Sequence, residues 1–166
     1  MEKNAQTRII LVEDDIDLGE VIYSVLENDG YNIHFQSSFL GIEDKIRSFN
    51  PSILVFDVEV GNDDGINIAS KILKNYPKIP ILFISSHTES EYATKGIVTG
   101  GIGYIRKPFE LNELKAYIDR FAISSHSPDI IGNFTIDKTN YNIYLSGELI
   151  KQLTPLEFKA LKLLSK

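Results

Sequence analysis

The chain has 166 residues, of which 43% are hydrophobic and 24% charged, which is ordinary for a globular protein and leaves room for one full domain and part of a second. It contains no cysteine, no apolar stretch long enough to span a bilayer and no secretory signal pattern, so disulfides and thiolate metal sites are excluded and a cytoplasmic location without membrane contact is expected. The net charge is -6, and the acidic excess lies in residues 1–127, which argues against nucleic-acid binding by that part of the chain.

Apolar runs alternate five times with segments of helical periodicity along residues 8–121. This alternation predicts a parallel sheet with helices on both faces and right-handed crossovers. Asp15 is expected to cap the first helix. The predicted strands are residues 8–12, 32–36, 52–56, 81–84 and 104–105, and the predicted helices lie around 18–26, 42–49, 66–73, 89–98 and 111–121.

The pattern changes after residues 124–128, a stretch rich in serine and closed by proline that is typical of a linker. Residues 134–136 and 141–145 then alternate like short strands. A helix start follows, because Thr154 is a good N-cap, Pro155 suits the first helical position and Glu157 completes a capping box.

Polar residues follow the predicted strands at the ends where ligands bind on open α/β sheets. Glu13 and Asp14 follow the first strand, Asp57 the third, Ser85 the fourth and Lys107 the fifth. Carboxylates grouped in this way suit Mg²⁺, and Asp57 could then act as a nucleophile toward phosphorus. Lys107 would neutralise developing charge, and the Ser85 hydroxyl would donate a hydrogen bond.

These residues stand in an order that resembles a response regulator receiver domain over residues 8–121. The resemblance implies an α/β fold with a five-stranded parallel doubly wound sheet, flavodoxin-like and of (βα)5 type. It also implies phosphorylation by a sensor histidine kinase and no enzymatic activity beyond the domain's own phosphorylation and dephosphorylation. The segments that carry it are ILVEDD at 10–15, LVFDV at 54–58, DG at 64–65, PILFIS at 80–85 and YIRKPF at 104–109.

The resemblance also implies a role for each site residue. Asp57 would be the phosphoacceptor and one of the metal ligands, and Mg²⁺ would be the cofactor. The remaining implied roles are Asp14 as a direct metal ligand, Glu13 as a ligand through water, the backbone carbonyl of Glu59 as a further ligand, Lys107 as the contact to the phosphoryl group, and Ser85 and Tyr104 as the switch residues.

Residues 130–164 resemble the beginning of an OmpR/PhoB-type winged-helix domain, chiefly through LTPLEF at 153–158. The expected organisation is a receiver domain at 8–123, a linker at 124–129 and a truncated, partial α+β winged-helix segment at 130–166. The resemblance implies a transcriptional output. DNA would be bound only through a complete winged-helix domain, since the recognition helix and wing come later in that family.

The chain departs from the receiver pattern at several positions. Gly61 replaces the usual proline, and we expect this to loosen the loop without affecting the chemistry. OmpR/PhoB-type receivers usually carry two aspartates where Ile102 and Gly103 stand, and at least one of them joins the ion pairs of the homodimer. An arginine of the same interface is common where Tyr117 stands. The family-typical dimer contacts are therefore missing on both sides.

Glu59 and His87 stand two residues after Asp57 and Ser85, at positions that tune phosphoryl lifetime in receiver domains. Our hypothesis is that Glu59 repels the incoming phosphoryl group unless His87 pairs with it.

Other functions stay open from the residues alone. A phosphorylation-independent interaction module could share the fold, although it would not need the acidic pair or Lys107. An aspartyl-nucleophile phosphatase of the haloacid dehalogenase type would place its nucleophile after the first strand and a second aspartate where Glu59 stands. A nucleotide-binding fold is disfavoured because no glycine-rich phosphate loop follows the first strand.

Overall fold

The computed structural model describes residues 7–87, 90–122, 129–131, 134–137, 142–145, 148–154 and 157. The chain divides into two compact units, residues 1–123 and 124–166. Within the described residues, no helix has the length and apolar character needed to cross a membrane.

The first unit contains a five-stranded parallel sheet with helices between its strands, as the sequence predicts. In chain order the elements are β1 Arg8–Val12, α1 Ile16–Asn28, β2 Asn32–Gln36, α2 Ile42–Phe49, β3 Ile53–Asp57, β4 Glu59–Val60, β5 Asp63–Asp64, α3 Gly65–Asn75, β6 Ile81–Ser85, α4 Ser90–Val98, β7 Gly103–Arg106 and α5 Leu111–Phe121. The strand order of the sheet is β2-β1-β3-β6-β7, with β3 at the centre.

The three inner strands, β1, β3 and β6, carry runs of buried apolar residues because both faces of the sheet are covered there. Side chains alternate between the faces, so Leu54 and Phe56 of β3 belong to one buried cluster while Ile53 and Val55 belong to the other. The first cluster includes residues of α2 and α3, and the second includes residues of α1 and α5. This double burial fixes the register of β3 and thereby the position of its last residue, Asp57.

Two aspartates begin helices beside the sheet edge. Asp15 caps α1 by accepting a hydrogen bond from the Leu18 backbone N–H at 3.1 Å, which confirms the predicted cap. Asp64 caps α3 by accepting from the N–H groups of Ile66 and Asn67 at 2.8 and 3.2 Å. Each cap satisfies amides that have no partner within the helix, so both helices start at defined positions next to the strand ends.

A small hairpin follows Asp57 in the loop that contains Gly61. Strands β4 and β5 pair antiparallel, with Glu59 opposite Asp64 and Val60 opposite Asp63. The two-residue connection begins at Gly61, whose φ of +59° lies in the left-handed region that such tight hairpin turns require. The segment between β3 and α3 is thus held by its own hydrogen bonds.

Gly65 brings the start of α3 against the backbone of Asp57. A Cβ atom at Gly65 would overlap with the carbonyl oxygen of Asp57, and it would also lie 3.3 Å from the Phe39 ring. The Gly65 N–H donates to the carbonyl of Val58 at 2.7 Å. The absence of a side chain at this position therefore sets how closely helix and strand approach at the phosphoacceptor candidate.

The second unit contains the strands β8 Asp129–Ile131, β9 Phe134–Asp137, β10 Asn142–Leu145 and β11 Glu148–Gln152. They form an antiparallel sheet of order β11-β10-β9-β8. The sequence predicts β9 and β10 but not β8 or β11. Thr154 and Glu157 form the predicted capping box, since Thr154 N donates to Glu157 Oε2 at 2.8 Å and Glu157 N donates to Thr154 Oγ1 at 3.3 Å. Most of the predicted linker and the helix after Glu157 lie outside the described residues.

The close approach at Gly65 yields a stability prediction. Gly65→Ala should lower the free energy of unfolding by about 1–3 kcal/mol, because the added methyl group forces α3 away from β3. Ser70→Ala, at an exposed position of the same helix, should stay within about 0.5 kcal/mol of the original protein. Urea unfolding followed by circular dichroism measures both, and equal effects of the two substitutions would contradict the packing account.

Candidate functional site

Three carboxylates meet where β1 and β3 end. Asp57 is the last residue of β3 and is only 5% exposed, while Glu13 follows β1 and is fully buried. Asp14 is exposed beside them. One oxygen from each of the three carboxylates lies within 4.8 Å of the others. The sequence prediction that these residues converge is borne out by their positions.

Lys107 places its ammonium group between the two buried carboxylates. Lys107 Nζ lies 2.7 Å from Glu13 Oε2 and 2.7 Å from Asp57 Oδ2. The residue follows β7, and its backbone N–H donates to the carbonyl of Ser85 at 2.8 Å, which fixes the start of the loop. The Lys107–Pro108 peptide bond is cis. A single cation thus compensates two carboxylates from different strands.

Burial and neighbouring charges shift the pKa values of Glu13 and Lys107. Burial raises the pKa of Glu13 to about 7, the nearby Asp57 carboxylate acts in the same direction, and the hydrogen bond with Lys107 partly offsets the rise. Burial by itself would lower the pKa of Lys107, but its hydrogen bonds to Asp57 and Glu13 outweigh this and raise that pKa. Lys107 therefore stays charged, and Glu13 can hold a proton near neutral pH.

Backbone amides hold the acidic side chains in place. Asp15 N donates to Glu13 Oε1 at 3.1 Å, and Glu59 N donates to Asp57 Oδ1 at 3.1 Å. Gly61 N donates to Asp14 Oδ2 at 2.9 Å. Gly61, which the sequence pattern connects only with the loop, therefore contacts a carboxylate of the acidic cluster through its N–H.

Ser85, His87 and Glu59 form a connected group beside Asp57. The buried hydroxyl of Ser85 accepts a hydrogen bond from the His87 backbone N–H at 3.0 Å. His87 Nε2 lies 2.7 Å from Glu59 Oε1, a contact that is ionic only when the imidazole is protonated. The His87 ring stacks on Tyr92, with centroids 4.0 Å apart and planes 5° from parallel. The histidine thus connects the hairpin after Asp57 to the first turn of α4.

Tyr104 lies on β7 with its hydroxyl turned inward. The hydroxyl oxygen is buried and makes no hydrogen bond of ordinary geometry among the described residues. Burial raises the pKa of Tyr104, an effect that the nearby Ser85 hydroxyl partly offsets. A phenol that is buried without a partner is poorly satisfied, so this orientation is sensitive to any change at Ser85.

The residues that depart from the expected dimer interface pack on one another. Gly103 is buried under the ring of Tyr117, and a Cβ atom at Gly103 would lie 2.5 Å from Tyr117 Cε1. Ile102 and Tyr117 both pack against the buried cluster that includes residues of α1 and α5. The ring of Tyr117 therefore fills the space that a side chain at position 103 would need, so the two departures form one packing unit.

The donor set fits Mg²⁺. Glu13, Asp14 and Asp57 offer hard oxygen atoms, and Lys107 is the one cation that contacts the buried pair among the described residues. Mg²⁺ favours a small number of carboxylates and retains several waters, which the exposed Asp14 side of the site permits. The carbonyl of Glu59 belongs to the adjacent hairpin, at the same edge of the sheet.

Sequence reasoning missed two contributors to the site. Gly61 supplies an amide to Asp14, and Tyr92 supplies the ring on which His87 stacks. The positive φ needed in a two-residue hairpin could have singled out Gly61, but no sequence signal places its N–H beside Asp14. Tyr92 carries no motif, because stacking is decided by how α4 packs.

Known proteins with similar sequences belong to one family. The response regulator receiver domain family matches residues 9–119. The transcriptional regulatory protein PmrA of Pectobacterium parmentieri is 30% identical over 158 residues, with 93% of this chain and 71% of that protein covered. The transcriptional regulatory protein KdpE of Staphylococcus aureus is 29% identical over 166 residues, with 96% and 71% covered.

A solved structure shares the fold of the first unit. The non-phosphorylated HemR receiver domain from Leptospira biflexa superposes with a TM-score of 0.65 at 28% identity, covering 75% of this chain and 99% of that one. The family match spans well over half of the sequence and includes all of the strand ends that carry the acidic cluster and Lys107. The chain belongs to the response regulator receiver domain family.

Proposed function

We propose that the protein is a two-component response regulator that accepts a phosphoryl group on Asp57 from a sensor histidine kinase and uses it to switch a transcriptional output. The observation that carries the proposal is the arrangement around Lys107 Nζ, which lies 2.7 Å from both Asp57 and Glu13. Asp14 completes the acidic cluster. This geometry supports phosphoryl transfer to a carboxylate more directly than it supports a passive interaction surface.

The transfer begins with attack by an Asp57 carboxylate oxygen on the phosphorus atom of the donor. The new bond joins this oxygen to phosphorus, and the bond from phosphorus to the donor histidine nitrogen breaks, with the electron pair leaving on nitrogen. Lys107 stabilises the charge on the phosphoryl oxygens. Glu13, Asp14, Asp57 and the Glu59 carbonyl would hold Mg²⁺, which would supply charge neutralisation and orientation of the phosphoryl group when bound.

Ser85 is placed to respond to the new group. Its oxygen already accepts from the His87 amide, and a hydroxyl can accept and donate at the same time. Its proton can therefore be donated to a phosphoryl oxygen on Asp57. Movement of Ser85 toward Asp57 would change the space around the buried Tyr104 hydroxyl, so these two residues are the proposed switch between two states.

The proposed domain organisation is a receiver at 8–123, a linker at 124–129 and the beginning of a winged-helix domain at 130–166. The antiparallel sheet and the Thr154–Glu157 capping box of the second unit support this assignment. PmrA and KdpE are described as transcriptional regulatory proteins, which supports DNA as the eventual partner. Homodimers would have to form without the family's usual ion pairs, because Ile102, Gly103 and Tyr117 stand where charged residues of that interface are common.

Phosphorylation of Asp57 can be tested directly. Incubation of the protein with a small acyl-phosphate donor and Mg²⁺ should give an adduct of one phosphoryl group, because Asp57 is the carboxylate that Lys107 and the acidic pair activate. Intact-protein mass spectrometry measures the adduct, and Asp57→Asn is the control. No adduct, or one that persists in the Asn variant, would refute the switch. Rapid turnover of many phosphate esters would instead indicate a phosphatase.

Protonation of Glu13 makes stability depend on pH in metal-free buffer. The pKa of Glu13 is raised from an ordinary 4.5 to about 7, so the folded protein binds this proton more tightly than the unfolded chain does. The resulting contribution to the free energy of unfolding is fully present below about pH 4.5 and is lost as pH rises through about 7. The free energy of unfolding relative to Glu13→Gln should therefore fall over this window, by up to about 1.4 kcal/mol per pH unit. Urea unfolding in chelator at several pH values measures the difference. A difference that does not change with pH would contradict the assigned proton.

Glu59 and His87 provide a test of phosphoryl lifetime. Glu59→Ala should accelerate phosphorylation several-fold, because it removes a carboxylate from the approach to Asp57, and His87→Ala should slow it by leaving Glu59 unpaired. In the doubly substituted protein the effect of losing His87 should disappear. Rates of phosphorylation by the acyl-phosphate donor and of dephosphorylation give the result. Unchanged rates in both single variants would eliminate this hypothesis.

A further inference from the structure

The backbone N–H of Gly61 contacts the acidic cluster from a part of the chain that is distant in sequence. Gly61 N lies 2.9 Å from Asp14 Oδ2, across 47 positions. The bond joins the tip of the β4–β5 hairpin to the loop after β1. A hydrogen bond from an amide to an ionised carboxylate is charge-assisted and stronger than one between neutral groups.

The direction of this N–H is fixed by the hairpin. Val60 and Asp63 are paired on either side of the turn, and Gly61 has a φ of +59°. At the base of the hairpin, Gly65 N donates to Val58 O at 2.7 Å. Asp14, in contrast, is exposed and has no core packing to limit its rotation. The rigid partner in the contact is therefore Gly61, and the carboxylate is the group that is oriented.

We propose that Gly61 is a positioning residue of the cation site. Its N–H occupies one oxygen of Asp14 and leaves the other for a divalent cation shared with Glu13 and Asp57, whose oxygens lie within 4.8 Å. The inference rests on the proposed function, since it concerns the same Mg²⁺. Proline, which is usual at this position in receiver domains, has no N–H and could not act in this way.

Two substitutions separate the N–H from the rest of the residue. Gly61→Pro removes the donor, whereas Gly61→Asn keeps it and tolerates a positive φ, with no atom within 4 Å of the added Cβ. We expect the Mg²⁺ affinity to fall about tenfold in the proline variant, as for other residues that orient metal ligands, and to stay near the original in the asparagine variant. Titration with Mg²⁺ followed by ¹H–¹⁵N NMR measures the affinity and reports whether each variant retains the native fold.

A second measurement covers the case in which Gly61→Pro disrupts the hairpin. In the metal-free protein, Asp14→Ala should move the Gly61 amide proton strongly upfield, because its acceptor is lost. Asp17→Ala, which removes another exposed carboxylate of the same region, should leave that proton in place. Equal shifts in the two variants would overturn the inference.

The outcomes also distinguish this inference from the proposed function. If the unsubstituted protein binds no Mg²⁺, the proposed function fails. If it binds Mg²⁺ and the folded proline variant binds equally well, Gly61 stabilises the loop and has no role in the cation site, and only this inference fails. Weaker binding that is confined to the proline variant supports both.

Discussion

The ammonium group of Lys107 between Glu13 and Asp57 is the interaction on which the site depends. Both carboxylates are almost inaccessible to water, and a buried charge without a partner is strongly destabilising. Their neutralisation needs a cation that arrives from a third element, the loop after β7. That loop reaches β1 and β3 only because the sheet order places the three strand ends along one edge. The order of the strands therefore decides which charged side chains meet at the site.

Backbone positions, more than side chains, control the geometry around this charge cluster. Gly65 lets α3 begin against the carbonyl of Asp57, and the hairpin between them presents amides of Glu59 and Gly61 to two of the carboxylates. Glu59 lies in β4 and Gly61 begins the turn of the same hairpin, whose strands are paired by backbone hydrogen bonds. The acidic cluster is thus organised before any cation or phosphoryl group arrives, which reduces the ordering that binding requires.

Residues that depart from the usual receiver sequence contact one another or neighbouring aromatic rings in the folded structure. Gly103 and Tyr117 form a single packing unit, in which the ring occupies the volume of the missing side chain. His87 lies between Glu59 and the ring of Tyr92, so the mouth of the site is tied to α4. The charged residues around Asp57 are thus retained, while aromatic packing occupies the positions that depart from the usual receiver sequence.

Residue order alone predicts the alternation of strands and helices, the doubly wound sheet and the placement of Asp57, Glu13, Asp14 and Lys107 at strand ends. These follow from local periodicity and from the rule that parallel strands expose their carboxyl ends at one edge. The hairpin strands β4 and β5 were missed because two-residue strands have no periodicity to detect.

Three contacts between different elements emerge only when the chain is folded: the Gly61 amide on Asp14, the Tyr92 ring on His87 and the Tyr117 ring over Gly103. Each depends on the direction of a backbone group or ring, and that direction is set by packing rather than by residue type.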